Sequence, residues 1–288
     1  MIYCHPTPQR RGEYTWEDTD MKKRILATIL ALVLALSLLP TAALAGDSKP
    51  IMVGKTGYDT LSEATTAAEP DENGVITYTI TGKVEVTGTG WVQVAKGGLS
   101  GLKKVAFVGT GDDAELCIRQ GAAIMANQSY DIDVSFENLT LSKLNPQWTN
   151  DYGHSTKYFT CWLRNPGAAE NTVTYTKCTF PNGVCNNQYG KTVFTDCTFS
   201  NPTGYNLWNY GGETKVEDSE FTGKRGVKMY NEGTRETPPS IEIKDTSFDG
   251  MTDKAAIVVS KASDVTLDNV DATGCTAGLL QKDIEGSS

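Results

Sequence analysis

The sequence predicts an all-β fold: a single-stranded right-handed parallel β-helix with a short N-terminal capping α-helix. Three observations predict it. An asparagine returns every 22 residues, at Asn165, Asn187, Asn209 and Asn231. A strand motif that usually closes on phenylalanine recurs between Tyr175 and Phe248. Short alternating segments broken by glycines fill the chain from Val75 to Val108. Recurrence on this scale marks a solenoid, and period-2 texture within each copy makes its unit a strand rather than a helix.

The strand motif reads Tyr175-Thr-Lys-Cys178-Thr-Phe180, Phe194-Thr-Asp-Cys197-Thr-Phe199, Val216-Glu-Asp-Ser219-Glu-Phe221 and Ile243-Lys-Asp-Thr246-Ser-Phe248. Weaker copies are Phe136-Glu-Asn138-Leu-Thr-Leu141 and Leu267-Asp-Asn269-Val-Asp-Ala272. Successive starts lie 39, 19, 22, 27 and 24 residues apart. A second strand between copies carries the asparagine period. Leu163, Cys185, Leu207 and Met229 stand two residues before each asparagine. Alternation puts that set inside and Arg164, Asn186, Trp208 and Tyr230 outside. The asparagines share the inward parity. Stacked about 4.8 Å apart, their amides would bond one another at a coil corner, so they form a structural ladder.

Upstream, Val75-Ile-Thr-Tyr-Thr-Ile80, Lys83-Val-Glu-Val86, Trp91-Val-Gln-Val94 and Lys104-Val-Ala-Phe-Val108 are further short strands. Roughly seven or eight coils are expected over residues 71–288. Before them, residues 46–70 form a cap region. Thr60 and Glu63 have capping-box spacing, and Tyr58, Leu61, Ala64 and Ala68 mark one helical face. A helix laid there would seal the first coil and hide its strand edge.

From Met21 the chain reads Met21-Lys22-Lys23-Arg24, an apolar run from Ile25 to Leu39, and Ala43-Leu44-Ala45 before Gly46. A basic segment, an apolar segment and a small-residue site in that order read as a signal peptide over residues 21–45. The run of 15 residues is short of the ~20 that a spanning helix needs. It also lacks a basic stop-transfer flank, so export without a retained membrane span is expected. Residues 1–20 are polar, contain Cys4 and His5, and read as a non-native or upstream extension before the true start at Met21.

From Gly46 onward 243 residues carry 21 basic and 31 acidic side chains, a net charge of −10. Nucleic acid is not an expected partner, because phosphate contacts need a basic footprint. Six cysteines remain, Cys117, Cys161, Cys178, Cys185, Cys197 and Cys275, with no CxxC and with His154 as the remaining histidine. A zinc site is not expected. Cys178 and Cys197 occupy matching slots one coil apart and read either as apolar filler, which we favour, or as a disulfide.

The Tyr58-Asp-Thr-Leu61-Ser-Glu-Ala64 segment, the glycine-punctuated strands and the Val-x-Phe-x-Asp-Cys-x-Phe coils, with Thr192 replacing the first Val in one copy, resemble the pectate-lyase-like (pectin lyase-like) right-handed β-helix superfamily. The nearer likeness is to β-helix modules of bacterial surface and adhesin-like proteins, over most of residues 50–288. The resemblance implies a fold more than an activity, since lyases, hydrolases, tailspikes and non-catalytic adhesins share it.

Three constellations remain as candidates. Asp196, Asp218 and Asp245 fill equivalent slots on successive coils. The resemblance implies a calcium site as one alternative. The other is a strand-ending corner that favours Asp and Asn for tight turns, since Lys177, Asn138 and Asn269 fill the same slot. No cofactor is expected beyond that calcium alternative. The resemblance further implies that a hydrolase would carry an Asn-x-Asp, an Asp-Asp, a Gly-His-Gly and an Arg-x-Lys. Asp112-Asp113 is present, but in an early glycine-rich turn with no histidine near, and the set as a whole is absent. A lyase would need a basic residue to take the proton alpha to a uronate. Arg164, Lys224, Arg225 and Lys228 are the clustered candidates, with Arg164 and Lys228 the catalytic pair to test. Finally, Ser142 to Thr160 forms a long excursion containing Trp148, Asp151, Tyr152, His154, Lys157 and Tyr158. It re-enters at Trp162 and Arg164, beside an outward row of Asn186, Asn206, Trp208, Lys228 and Tyr230. Aromatic faces interspersed with amides suit pyranose rings. The bland alternative is that the loop folds over the row and the aromatics cover each other.

The expected function is therefore an exported, non-catalytic β-helix module that binds glycan or another host or cell-surface ligand, secreted or cell-surface associated. Its rivals are a polysaccharide lyase acting on an acidic, uronate-containing glycan and a structural spacer. After Leu279-Leu280 the polar tail has no wall-sorting motif. Either further domains follow in a longer surface protein, or the last edge is blunted by a partner or by that tail.

Overall fold

The computed structural model describes residues 49–87, 92–93, 101–119, 123–125, 132–143, 159–161, 171–186, 190–209, 212–230, 238–260 and 263–283. The described chain begins with β1 (Ile51–Val53), β2 (Thr56–Tyr58) and α1 (Leu61–Ala67). The helix starts where its capping box places it. Glu63 N donates to Thr60 Oγ1 at 3.2 Å and Thr60 N to Glu63 Oε2 at 3.3 Å, satisfying first-turn N–H groups that have no partner within the helix. Leu61, Ala64 and Ala68 are buried, as their spacing predicts. The helix alone was expected to hide the first strand edge. Instead β1 covers it, pairing antiparallel with β2 on one side and with β3 (Val75–Ile80) on the other. A three-residue strand carries too little alternation to be read from sequence.

Beyond β3 the strands stack in parallel on three faces. Face one holds β3, β6 (Lys104–Gly109), β9 (Asp133–Glu137), β12 (Thr172–Thr176), β15 (Lys191–Thr195), β18 (Glu213–Glu217) and the first halves of β21 (Ser240–Asp249) and β23 (Asp264–Thr273). Face two holds β4 (Lys83–Val86), β7 (Glu115–Ile118), β10 (Thr140–Lys143), β13 (Thr179–Phe180), β16 (Thr198–Phe199), β19 (Glu220–Thr222) and the second halves of β21 and β23. Face three holds β5 (Val92–Gln93), β8 (Ala123–Met125) and β11 (Phe159–Cys161), then β14 (Val184–Asn186), β17 (Tyr205–Asn209), β20 (Arg225–Tyr230), β22 (Ile257–Ser260) and β24 (Leu280–Asp283). The fold is all-β and β-helix-like, with one short helix at its start among the described residues.

From the third coil on, a single left-handed residue marks the turn from face one into face two. Asn138, Lys177, Asp196, Asp218, Asp245 and Asn269 have φ between 46 and 55°, the left-handed region that Asn and Asp tolerate best. The next residue points inward, stacking Leu139, Cys178, Cys197, Ser219 and Thr246 in the buried interior. Ser219 and Thr246 return their hydroxyls to the backbone, Ser219 Oγ to Glu217 O and Thr246 Oγ1 to Lys244 O, both at 2.7 Å.

Two aromatic ladders flank this corner. Tyr78, Phe107, Phe136, Tyr175 and Phe194 stack along face one at ring separations of 5.0, 5.0, 5.0 and 4.7 Å. Phe180, Phe199, Phe221 and Phe248 stack along face two at 4.7, 4.3 and 4.5 Å. Edge contacts join the ladders, with Tyr175 to Phe180 at 5.5 Å and Phe194 to Phe199 at 5.5 Å. Each fully buried ring contributes about 2–3 kcal/mol by leaving water, and each aromatic pair adds about 1 kcal/mol.

Candidate functional site

The register of face three differs from the 22-residue period. Asn186 pairs with Asn209, and Asn209 with Met229, steps of 23 and 20 residues. The interior asparagine stack is thus Asn186 on Asn209, not Asn187 on Asn209; Asn165, Asn187 and Asn231 lie outside the described residues. Asn186 Nδ2 donates to Asn209 Oδ1 at 2.7 Å and to Thr214 Oγ1 at 3.2 Å. Thr192 Oγ1 donates to Asn186 Oδ1, and Thr214 Oγ1 to Asn209 Oδ1, both at 3.2 Å. These bonds explain why Thr192 and Thr214 replace the aliphatic residue found at the equivalent interior slots Val134, Val173 and Ile241. Each buried amide has a hydroxyl beside it, which meets the cost of taking both out of water.

This register corrects three of the expected positions. Asn186 is inside and buried rather than outward. Cys185 leaves the Leu207 row, whose members are Val184, Leu207, Val227 and Ile257, and joins the outer column of Trp208, Lys228 and Val258. Asn206, expected outside by parity with Trp208, turns into the corner between β16 and β17. There its Oδ1 accepts from Asn201 N at 2.6 Å and its Nδ2 donates to Thr222 O at 2.7 Å. Strict alternation fails at this corner because the backbone groups of the turn need those partners.

Trp208, Lys228 and Tyr230 come together on the outer side of face three. Tyr205 meets Trp208 edge-on at 5.4 Å, and Trp208 meets Tyr230 at 5.9 Å, tilted by 48°. The Arg225 guanidinium lies 5.2 Å from the Tyr205 ring centre, and its Nε donates to Asp253 Oδ2 at 2.5 Å. Burial raises the Asp253 carboxyl, but the Arg225 hydrogen bond and charge, with Lys224 and Lys254 beside it, hold it below the usual carboxylate range. Cys185, Ala255 and Val258 complete the apolar part of the cluster.

This row is not an open platform. Trp208 and Lys228 are each only 6% exposed, while Tyr230 is half-buried. The rings cover one another, and Lys228 is not presented to a polymer as a free base. Trp148, Tyr152, His154, Trp162 and Arg164 lie outside the described residues.

Sequence reasoning missed Lys143. It shares a register row with Ile118 and Val86, so alternation from Leu141 would have placed it inward. Burial pushes its amine down to about 8, opposed by the charge of the nearby Cys185 thiol. Cys178 and Cys197 are buried filler. Burial raises Cys178 to about 12 and Cys197 to about 11, and both are free.

No protein-family model, curated protein or solved structure matches this chain.

Asp196, Asp218 and Asp245 are the left-handed corner residues themselves, so their position is accounted for by backbone geometry. Asn269 Nδ2 donates to Asp245 Oδ1 at 2.6 Å in the same slot, a coil-to-coil bond. Among the described residues, no three His, Cys, Asp or Glu side chains are grouped to hold a metal ion, and no helix is long and apolar enough to cross a membrane.

Proposed function

We propose that this chain is an exported right-handed parallel β-helix of the pectate-lyase-like kind, of about seven or eight coils, that binds glycan or another surface ligand without catalysis. Its setting would be a bacterial cell-surface or adhesin-like protein. The observation that carries the binding reading is the outer cluster of face three, where Tyr205, Trp208 and Tyr230 meet beside the Arg225–Asp253 pair. The segments 144–158, 162–170 and 231–237, each of seven or more residues, all enter or leave this face. Long connections on a rigid scaffold are where binding surfaces are usually built. Ligand contact falls to the half-buried Tyr230 rather than to the buried Trp208. The leader over residues 21–45 supports export.

The lyase reading has weaker support. Lys228 is buried between Trp208 and Val258 in its column, whereas a base acting on a polymer must reach the substrate proton. A glycan array with the secreted protein, run beside ultraviolet detection of unsaturated product on uronate polymers, tests both. Array binding without product is the expected result. Product that disappears in Lys228→Ala would replace the binding reading with the lyase, and silence in both assays would leave a structural spacer.

A further inference from the structure

Resting on the glycan-binding reading above, we propose that a polar groove along the corner of the first four coils is a second site, which holds a short uncharged saccharide by hydrogen bonds without ring stacking. From Asn138 on, one left-handed residue suffices to turn face one into face two. In the second coil β6 ends at Gly109 and β7 begins at Glu115, so five residues do the same work. The turn itself does not need them, and two of them, Asp112 and Asp113, are exposed. Among the described residues these two carboxylates form no ion pair. The extra segment is nonetheless fixed at both roots. Thr110 N donates to Ile80 O at 2.8 Å on one side, and Thr140 N donates to Ala114 O at 3.0 Å on the other. A Cβ at Gly109 would stand 2.0 Å from Asn138 O, so only glycine lets the segment lie this close to the third coil.

A cavity opens on either side of this ridge. One, of about 380 Å³, is lined by Asp112, Asn138, Thr140, Lys177 and Thr179. The other, of about 460 Å³, is lined by Lys83, Asp112, Asp113, Glu115 and Thr140. Asp112 and Thr140 line both, so the two make one groove across four coils, a span of about 14 Å at the strand spacing. Its floor is the outward column Lys83, Glu115, Thr140 and Thr179 of face two, in which Lys83 and Glu115 neutralise one another at 3.2 Å. Among the described residues no aromatic ring lines it. A ligand therefore meets threonine hydroxyls, the Asn138 amide, the Lys177 amine and the two carboxylates. Donors and acceptors mixed in this way suit vicinal hydroxyls, each of which gives and takes a hydrogen bond, and the bonds to carboxylate are the strong ones. A uronate would set its own charge against Asp112 and Asp113, so the groove favours uncharged sugars.

The test is hydrogen exchange of the full chain with neutral trisaccharides of glucose, galactose and mannose, and with trigalacturonate as the acidic probe. At least one neutral probe is expected to slow exchange over residues 109–115 and 138–140, in the wild type and in Tyr230→Ala alike. The double variant Asp112→Ala with Asp113→Ala changes only exposed side chains. It should weaken that binding on the order of tenfold, the share of two charge-assisted hydrogen bonds, at an unchanged melting temperature. Protection confined to residues 225–230 would overturn the proposal and leave the face-three reading standing. Protection at 109–115 from the neutral probes, with none at 225–230 from any glycan on the array, would do the reverse. The proposal also falls if no neutral probe protects the groove, if trigalacturonate binds there more tightly, or if the double variant keeps full affinity.

Discussion

At the corner between faces one and two, one left-handed residue turns the chain in six successive coils from Asn138 to Asn269, although the coils between those places differ in length by up to twenty residues. On face three the register steps are 23, 20, 30 and 23 residues. The corner stays constant because aromatic ladders run on both sides of it. A slip of one residue would turn every ring to solvent. Among the described residues, face three has no aromatic ladder inside. Its interior column changes from Asn186 and Asn209 to Met229 and Val259, and its aromatics lie outside. Length variation is absorbed where the interior asks least of it, so the variable surface and the aromatic cluster coincide.

The sharpest way to break this contrast is Phe221→Ala. Phe221 stacks between Phe199 and Phe248, and its removal should cost about 3–5 kcal/mol of stability, measured by denaturant unfolding. A loss comparable to that of a surface substitution would show that the ladder does not hold the corner. Next comes the amide stack. Asn209→Ala leaves Asn186 and Thr214 without a shared acceptor in the interior and should cost about 1–3 kcal/mol. A double-mutant cycle should couple Asn209 to Asn186. Coupling to Asn187 instead would restore the 22-residue period.

A smaller effect lies at Lys143. Its folded amine, at about 8, is below the ordinary lysine value, so between about 8 and 10.5 the unfolded chain binds the extra proton. Stability should rise with pH there by about 1 kcal/mol per unit, with the penalty fully present below pH 8. Thermal melts between pH 8 and 9 should show the rise, and Lys143→Met should flatten it. Above pH 9 the raised Cys178 and Cys197 thiols act in the opposite sense. The smallest effect is expected at the corner residue itself. Asp218→Ala should cost about 1 kcal/mol, because alanine resists the left-handed conformation, while Asp218→Gly should be close to neutral. Equal losses in both would show that the carboxylate, not the backbone, matters there.

The corner was legible in the sequence because its signal is local: Asn or Asp before an inward residue, then an aromatic two places on. The helix was legible from Thr60 and Glu63. Face three was misread where non-local partners decide orientation. Counting residues between asparagines gave an even period, but the coil from Asn186 to Asn209 holds one residue more and the next two fewer. The paired change of Val to Thr at Thr192 and Thr214 was the available signal for the true stack. The burial of Trp208 was not available, since alternation tells outward from inward but not whether an outward residue is covered.

The division between a structural corner and a binding face is tested most directly by the glycan affinity of Tyr230→Ala, measured beside its melting temperature. Tyr230 is half-buried and packs against the cluster, meeting Trp208 at 5.9 Å. The account predicts affinity reduced on the order of tenfold, the share of one aromatic contact, with the melting temperature nearly unchanged. Full affinity in the variant would contradict it, as would an affinity loss that merely follows a fall in stability.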